Sequence, residues 1–271
     1  MEKIPIWHKT ESAGTGNVAD DFAPYIQTYL LGKSTQPRGA VLVFPGGAYC
    51  CRAEHEGEPI ALKFNELGFH AFVLQYRVAP YRFPAPQQDA LRAIRIIRSR
   101  AKEWGVNPNQ IATLGFSAGG HLCASTGVLY QEIDANAGDE IDKFSCRPDA
   151  IIPCYAVINL TEKFGHFGSG ENLLGDKINT AEAAKLDLEK RVSSDVPPTF
   201  LWHTADDEAV NVLNSLSFAQ AIWQNGGTCA LHVFVHGPHG LGLAPDYPDI
   251  AVWPELAAEF LKTNCGFTIE P

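Results

Sequence analysis

The sequence predicts an α/β protein with a mostly parallel sheet that is covered by helices on both faces. Short apolar runs rich in β-branched residues alternate with helix-patterned segments along the chain. Hydrophobic residues make up 45% of the sequence and charged residues 19%, which is enough apolar mass for a buried sheet. No repeat, low-complexity tract or linker divides the 271 residues, so we predict a single domain over 1–271.

Six of the apolar runs have the length and composition of buried strands. They are 40–44, 71–74, 111–114, 150–152, 199–202 and 231–235. A helix is predicted over 87–104 because its apolar residues recur at a spacing near 3.6, and a turn at 107–109 (NPN) ends it. Further helices are predicted over 60–67, 118–130, 214–224 and 254–262. The polar segment 131–147 is expected to be a surface loop, and the Gly-rich segment 165–175 a small lid or substrate wall.

The charge balance argues against two kinds of partner. Aspartate and glutamate total 31 against 21 lysine and arginine, a net charge of −10, which argues against binding to nucleic acids or anionic membranes. Four arginines on the predicted 87–104 helix are therefore interpreted as a solvated face with acidic neighbours. They are Arg92, Arg95, Arg98 and Arg100.

The sequence also carries expectations about location and redox state. Residues 1–8 lack the apolar stretch of a secretory signal, and no apolar run approaches the roughly 18 residues that cross a bilayer, so we expect a cytoplasmic protein. The seven cysteines are odd in number and lack paired metal-type spacing, so we expect neither a disulfide framework nor a metal site.

The segment 115–120 (GFSAGG) directly follows a predicted strand and precedes a predicted helix. This G-x-S-x-G pattern in that context is typical of the nucleophile elbow of α/β-hydrolases, in which flanking glycines make room for a sharp turn. Ser117 is therefore the predicted nucleophile. The backbone N–H of Ala118, the next residue, is a predicted donor to the oxyanion that forms when serine attacks a carbonyl group.

A serine nucleophile needs an imidazole base and an orienting carboxylate, in the chain order Ser, Asp or Glu, His. The carboxylate candidates after Ser117 are the adjacent Asp206 and Asp207 at the end of a predicted strand. His239 lies on the loop beyond the last predicted strand, where this fold supplies its base, so we predict His239 as the base and His236 as a pocket residue. The spacing of His232, His236 and His239 could suggest a metal site, but the absence of a nearby acidic ligand argues against one.

With these residues in place, the chain resembles the acetylxylan-esterase and feruloyl-esterase-like branch of bacterial α/β-hydrolases over roughly 36–262. The motifs that carry the resemblance are 45–49 (PGGAY), 75–77 (QYR), 107–108 (NP), 115–122 (GFSAGGHL), 197–207 (PPTFLWHTADD) and 236–241 (HGPHGL). The resemblance implies an eight-stranded α/β-hydrolase fold with a small lid or none. It also implies a cofactor-free esterase for short acyl esters, often acetyl groups on xylose-type sugars.

The resemblance also implies roles for particular residues. In related hydrolases the acid stands four residues after a strand-terminal histidine, which selects Asp207 and leaves Asp206 as an alternative. The 45–49 segment is similar to the HGGG-type loop of esterases, which implies Gly47 and Ala48 as further oxyanion donors. The chain departs from the family pattern at Ala48, Ala209 and Asn211, and none of these changes removes a catalytic group.

The predicted ligand is a small-molecule ester or an acetylated oligosaccharide. Tyr49, Tyr155 and His236 are predicted pocket residues because they lie near strand ends. A homodimer is compatible with the sequence, since an isologous patch would resemble ordinary surface. The alternative functions are a general short-chain carboxylesterase, a peptidase or amidase, and a non-catalytic binding protein. The same triad cleaves amides, and the fold also occurs without catalysis.

Overall fold

The computed structural model describes residues 1–7, 22–32 and 34–269, so His8 lies outside the described residues. Within these ranges, eight strands form one sheet in the order β1-β2-β4-β3-β5-β6-β7-β8. The strands are β1 (Lys3–Pro5), β2 (Tyr25–Tyr29), β3 (Arg38–Phe44), β4 (His70–Gln75), β5 (Val106–Phe116), β6 (Ala150–Cys154), β7 (Thr199–Thr204) and β8 (Cys229–Phe234). The β1–β2 and β2–β4 pairs are antiparallel and the other pairs are parallel, which confirms the predicted mostly parallel, eight-stranded α/β fold.

Helices cover both faces of this sheet. In the described ranges they are α1 (Glu58–Glu66), α2 (Ala85–Ser99), α3 (Ala101–Trp104), α4 (Ser117–Val128), α5 (Phe167–Leu174), α6 (Leu213–Gln224) and α7 (Trp253–Cys265). Successive residues of β3 belong to different apolar clusters: Leu42 packs with the cluster of α2, α4 and α6, whereas Val43 packs with α1 and α7. The two clusters are therefore the two cores of a three-layer structure.

The six predicted strands correspond to β3 to β8. The two antiparallel strands, β1 and β2, were not predicted as individual elements. β1 has only three residues and ends in proline, and β2 has five residues, too few for a clear pattern. The predicted 87–104 helix is divided at Arg100 into α2 and α3. The predicted turn at 107–109 lies inside β5, where the register shifts opposite Arg38 and Ala40 and the Asn107 side chain accepts from the N–H of Asn109.

The arginines of α2 have acidic neighbours, as predicted, but Arg92 is not solvated. Arg92 is buried and donates to Asp139 and Asp142, which lie in the segment after α4 at the start of the 3-10 helix Glu140–Lys143. Arg98 pairs with Asp149 at 2.9 Å. The prediction of a solvated face was wrong at Arg92 because the 131–147 segment folds back over the helix.

The topology places the functional segments together. β5, β6, β7 and β8 run parallel, so their carboxyl ends meet at one edge of the sheet. The connection from β6 to β7 carries α5 and three 3-10 helices, Gly175–Asn179, Ala183–Leu186 and Leu188–Arg191. None of the helices in the described ranges combines the length and the apolarity needed to cross a bilayer. The single-domain prediction and the cytoplasmic prediction stay predictions.

Candidate active site

Ser117 occupies the turn between β5 and α4. Its φ is +52°, a left-handed conformation that a non-glycine residue adopts only under constraint. A Cβ on Gly119 would lie 2.2 Å from the carbonyl oxygen of Phe44, and one on Gly115 would lie 2.0 Å from the carbonyl oxygen of Gly119. The glycines of the motif are therefore required by close backbone approach, which is the geometry of a nucleophile elbow.

The structure brings Ser117, His239 and Asp207 into one hydrogen-bonded chain. His239 Nε2 lies 2.8 Å from Ser117 Oγ, and His239 Nδ1 lies 2.7 Å from Asp207 Oδ2. An ionised carboxylate accepts only, so Nδ1 carries the proton and Nε2 accepts from the serine hydroxyl. The three residues lie up to 122 positions apart in the sequence, and the carboxyl-end loops bring them together.

Asp207 is held as a carboxylate by its surroundings. The backbone N–H groups of Ala209 and Val210 each donate to Oδ1 at 2.9 Å. Burial by itself would raise the pKa of Asp207, but hydrogen bonds from His203, His239 and Val210 outweigh it and hold this pKa well below its usual value. His203 is buried and fixed by the Ser215 hydroxyl and the Val210 carbonyl, each at 2.8 Å.

The neighbouring Asp206 and His236 form a separate pair on the surface. Asp206 Oδ2 lies 2.9 Å from His236 Nδ1, and Asp206 Oδ1 accepts from the N–H of Gly237 at 2.8 Å. The His236 side chain is 81% exposed. It lines a surface cleft beside His239 together with Glu208, Ala209 and Tyr247. Of the two carboxylate candidates, it is therefore Asp207 that contacts His239.

The loop after β3 approaches Ser117 from the other side. A Cβ on Gly46 would lie 3.1 Å from the Cβ of Ser117, so the loop passes directly beside the nucleophile. Gly47, Ala48 and Tyr49 all have positive φ, at +124°, +50° and +59°. The loop is held from outside by Asn172, whose Nδ2 donates to the Ala48 carbonyl at 2.9 Å.

Three backbone N–H groups, in the loop after β3 and at the start of α4, are the predicted oxyanion donors. Those of Gly47, Ala48 and Ala118 donate to no protein acceptor in the part of the chain that the structure describes. Ala118 lies in the first turn of α4, where N–H groups lack intrahelical partners and carry partial positive charge. Unpaired N–H groups at this end of a helix can stabilise negative charge, and the oxyanion roles of Gly47, Ala48 and Ala118 stay predictions.

Tyr49 and Tyr155, both predicted pocket residues, are buried. The Tyr49 hydroxyl lies 2.8 Å from His121 Nδ1, and the other nitrogen of His121 faces the Leu186 carbonyl at 3.0 Å. The Tyr155 ring packs edge-on against His239, with ring centroids 5.1 Å apart. In this geometry the two tyrosines support the loops around Ser117, and their contact with a substrate stays a prediction.

Two residues near the site were not singled out from the sequence. Glu56 is buried between the β3 loop and Tyr155. His166 caps α5, and its Nδ1 lies 2.8 Å from the Ser169 hydroxyl. Burial lowers the pKa of His166, and its position near His239 lowers it further. From the sequence, 55–58 (HEGE) is interpreted as a polar loop before the predicted 60–67 helix, and no local pattern distinguishes Glu56 from Glu54 or Glu58.

A metal site needs several ligating side chains that converge on one point. Among residues 1–7, 22–32 and 34–269, no group of three or more His, Cys, Asp and Glu side chains converges as metal ligands would. His232 lies on β8 against Phe200, with ring centroids 5.1 Å apart. It therefore does not join His236 and His239 in a cluster.

The fold and the geometry around Ser117 define an α/β-hydrolase. The family model described as BD-FAE matches residues 26–222, and the chain belongs to this family of α/β-hydrolase esterases.

Similar proteins agree with this assignment. The acetyl ester-xyloside bifunctional hydrolase from Caldicellulosiruptor lactoaceticus is 43% identical, with a TM-score of 0.91 over 97% of this chain and 96% of that chain. Endo-1,4-beta-xylanase B of Butyrivibrio fibrisolvens is 37% identical over 83% of this chain and 36% of its own length. Acetylxylan esterase of Xylanibacter ruminicola is 29% identical over 86% of this chain and 47% of its own length. The chain thus spans less than half of either of these two curated relatives.

Proposed function

We propose that this protein is a serine esterase that hydrolyses short acyl esters, above all acetyl esters on xylo-oligosaccharides or other sugars. The observation that carries the proposal is the continuous hydrogen-bonded chain from Ser117 through His239 to Asp207. Beside it lie the unpartnered N–H groups of Gly47, Ala48 and Ala118 in the described residues. A base, an orienting carboxylate and oxyanion donors are what acyl transfer by serine requires.

In the acylation half, Ser117 Oγ attacks the ester carbonyl carbon while His239 Nε2 takes the hydroxyl proton. The carbonyl oxygen becomes an oxyanion, which the N–H groups of Gly47, Ala48 and Ala118 bind. Asp207 holds the ring and stabilises the imidazolium through Nδ1. His239 then gives its proton to the leaving alkoxide, so an alcohol departs and the acyl group remains on Ser117.

In the deacylation half, water takes the place of the alcohol. His239 accepts a proton from the water as its oxygen attacks the acyl carbon, and the same N–H groups bind the second oxyanion. Collapse of this intermediate breaks the bond to Ser117 Oγ, which recovers its proton from His239. The carboxylic acid leaves and the site returns to its first state with no cofactor.

The substrate class is supported by the names of similar proteins. An acetylxylan esterase and an acetyl ester-xyloside hydrolase are among them, and the second covers almost the whole chain. The net charge of −10 also fits a neutral substrate better than an anionic one.

The test is an acyl-chain series of p-nitrophenyl esters, together with acetylated xylo-oligosaccharides, on the purified chain. We expect the acetyl ester and the acetylated oligosaccharide to be turned over fastest and the octanoyl ester slowest. Rapid turnover of long acyl esters with both acetyl substrates inert would contradict the acetyl preference.

The same set of assays can identify two alternative functions. A faster rate on an acetamide than on the matched acetyl ester would identify an amidase. Failure of a fluorophosphonate probe to label the wild type would indicate a binding protein. We expect labelling of the wild type and its loss in Ser117→Ala, with Ser125→Ala, a change about two turns further along α4, as the labelled control.

A further inference from the structure

A buried carboxylate, that of Glu56, lies between the loop after β3 and the loop that carries His239, and it belongs to neither loop. The Glu56 side chain is only 3% exposed. Its Oε2 accepts from the N–H of Gly46 at 2.7 Å, and its Oε1 accepts from the Tyr155 hydroxyl at 2.6 Å. Both oxygens of Glu56 therefore act as acceptors, one for a backbone N–H and one for a hydroxyl.

The contact with Tyr155 extends to the loop that carries His239. The Tyr155 hydroxyl accepts from the N–H of Gly242 at 2.9 Å, while its ring packs against His239. Burial raises the pKa of Tyr155, and the charge of Glu56 raises it further, so this hydroxyl keeps its proton and donates to the carboxylate. A chain of hydrogen bonds thus runs from Gly46 through Glu56 and Tyr155 to Gly242.

A second, parallel contact joins the same elements. His55, the residue before Glu56, has its Nε2 2.9 Å from the Gly240 carbonyl. His55 thus bonds directly to the residue before Leu241, and Glu56 reaches the residue after it through Tyr155. On its other side it holds Gly46, the residue before the predicted oxyanion donors Gly47 and Ala48.

We infer that Glu56 is a positioning residue that keeps the oxyanion loop (Gly46–Cys51) and the histidine loop (Pro238–Gly242) in register with each other. Ser117 can react only when His239 and the oxyanion donors are aligned at the same time. Glu56 bonds directly to Gly46, beside the oxyanion donors, and reaches the histidine loop through Tyr155. The inference rests on the proposed function for its effect on the rate. Its structural part, the coupling of the two loops, does not depend on turnover.

The first test compares Glu56→Gln with Glu54→Gln, a matched change at an exposed position of the same 3-10 helix. Glutamine has one acceptor oxygen where glutamate has two, so it can accept from the Gly46 N–H or from the Tyr155 hydroxyl but not from both. We expect Glu56→Gln to lower kcat about 10- to 100-fold with KM within about twofold, because misalignment affects the transition state more than binding. Glu54→Gln should match the wild type.

The second test uses Tyr155→Phe, which keeps the ring against His239 and removes only the hydroxyl. In a double-mutant cycle, Glu56→Gln with Tyr155→Phe should be no more than about twofold slower than the slower single variant, since both break one chain of contacts. Rate losses that multiply would show that the two residues act independently and would overturn the inference.

The third test is hydrogen–deuterium exchange, which needs no substrate. In Glu56→Gln, and in Tyr155→Phe if the first variant does not fold, amide exchange should become faster in peptides that cover both loops. Exchange that changes in neither loop, or in one loop alone, would overturn the inference even if the rate falls.

The two proposals can fail separately. A wild type that cleaves esters while Glu56→Gln retains its kcat and its exchange pattern would refute the positioning role alone. A wild type inert on every ester, with both loops loosened in Glu56→Gln, would refute the proposed function and support the coupling.

Discussion

At the scale of single residues, two adjacent carboxylates meet different histidines. Asp207 points inward to His239 and is capped by two N–H groups, whereas Asp206 points outward to the exposed His236. Successive residues of a turn send their side chains in different directions, so adjacency in sequence does not mean similar surroundings.

The two aspartates are expected to differ sharply in their effect on the proposed reaction. Asp207→Asn should lower kcat about 10³- to 10⁴-fold, because an amide no longer selects the Nδ1–H form of His239. Asp206→Asn should change kcat/KM by less than about threefold, because an exposed pair contributes little. Steady-state kinetics on p-nitrophenyl acetate gives kcat and kcat/KM for both variants. Equal losses of kcat/KM in the two variants would contradict the assignment of Asp207 as the carboxylate that orients His239.

The pKa of Asp207 also predicts how stability depends on pH. Its folded-state pKa lies below the value of about 3.9 for an unfolded chain, so the ionised side chain stabilises the fold above that pH. This contribution declines as the pH falls below about 4 toward the folded-state pKa. Urea unfolding should therefore show a gap in free energy between wild type and Asp207→Asn at about pH 7 that narrows toward about pH 2. A gap that stays constant would contradict this linkage.

At the scale of elements, the junction of β5 and α4 is packed against the end of β3. A Cβ on Gly120 would lie 2.5 Å from that of Ala156, and Gly119 lies against backbone carbonyls. Backbone cannot yield as a flexible side chain can, so the elbow tolerates only glycine at these positions. The strained φ of Ser117 is thus maintained by neighbours at and just beyond the carboxyl ends of β3 and β6.

Gly119→Ala tests this packing. A Cβ 2.2 Å from the Phe44 carbonyl oxygen and 2.5 Å from that of Pro45 must displace β3 or α4. We expect a loss of about 3 kcal/mol or more in the free energy of unfolding. Gly32→Ala is the control, because a Cβ added there would have no neighbour within 4 Å among the described residues. It should change stability by less than about 0.5 kcal/mol. Chemical denaturation compares them, and a neutral Gly119→Ala would contradict the close packing.

At the scale of the whole molecule, a buried ion pair joins the N-terminal segment to the main sheet. Asp89 of α2 accepts from the indole N–H of Trp7 at 2.7 Å and from the backbone N–H of Arg77 at 2.8 Å. The Arg77 guanidinium lies 2.6 Å from the same carboxylate. The first residues of the chain, the end of β4 and α2 therefore share one polar centre.

Asp89→Ala should lower the free energy of unfolding by about 3–5 kcal/mol, because it leaves the Arg77 charge buried without its partner. None of these side chains contacts Ser117, His239 or Asp207, so kcat/KM below the melting transition should not change. Glu103→Gln, which removes an exposed partner of Arg100, is the control and should leave the unfolding midpoint where it is. Loss of activity at full stability would contradict a purely structural role for Asp89.

Local patterns in the sequence predicted much of this protein. Strand and helix periodicity and the glycines around Ser117 each depend on a few neighbouring residues, so the parallel strands, most helices and the elbow followed from sequence alone. The position of His239 beyond the last strand followed from the fold order. β1 and β2 were missed because such short segments carry too little periodicity.

Tertiary structure decided which side chains meet. That Asp207 rather than Asp206 contacts His239 depends on how one turn is oriented. That Glu56 contacts Tyr155, 99 positions away, depends on the packing of two loops. Hydrogen bonds between distant segments leave no periodic trace in a sequence, because each needs only the right atom at the right place. Such hydrogen bonds can be identified only from the folded structure, in which the sheet fixes the distances between its loops.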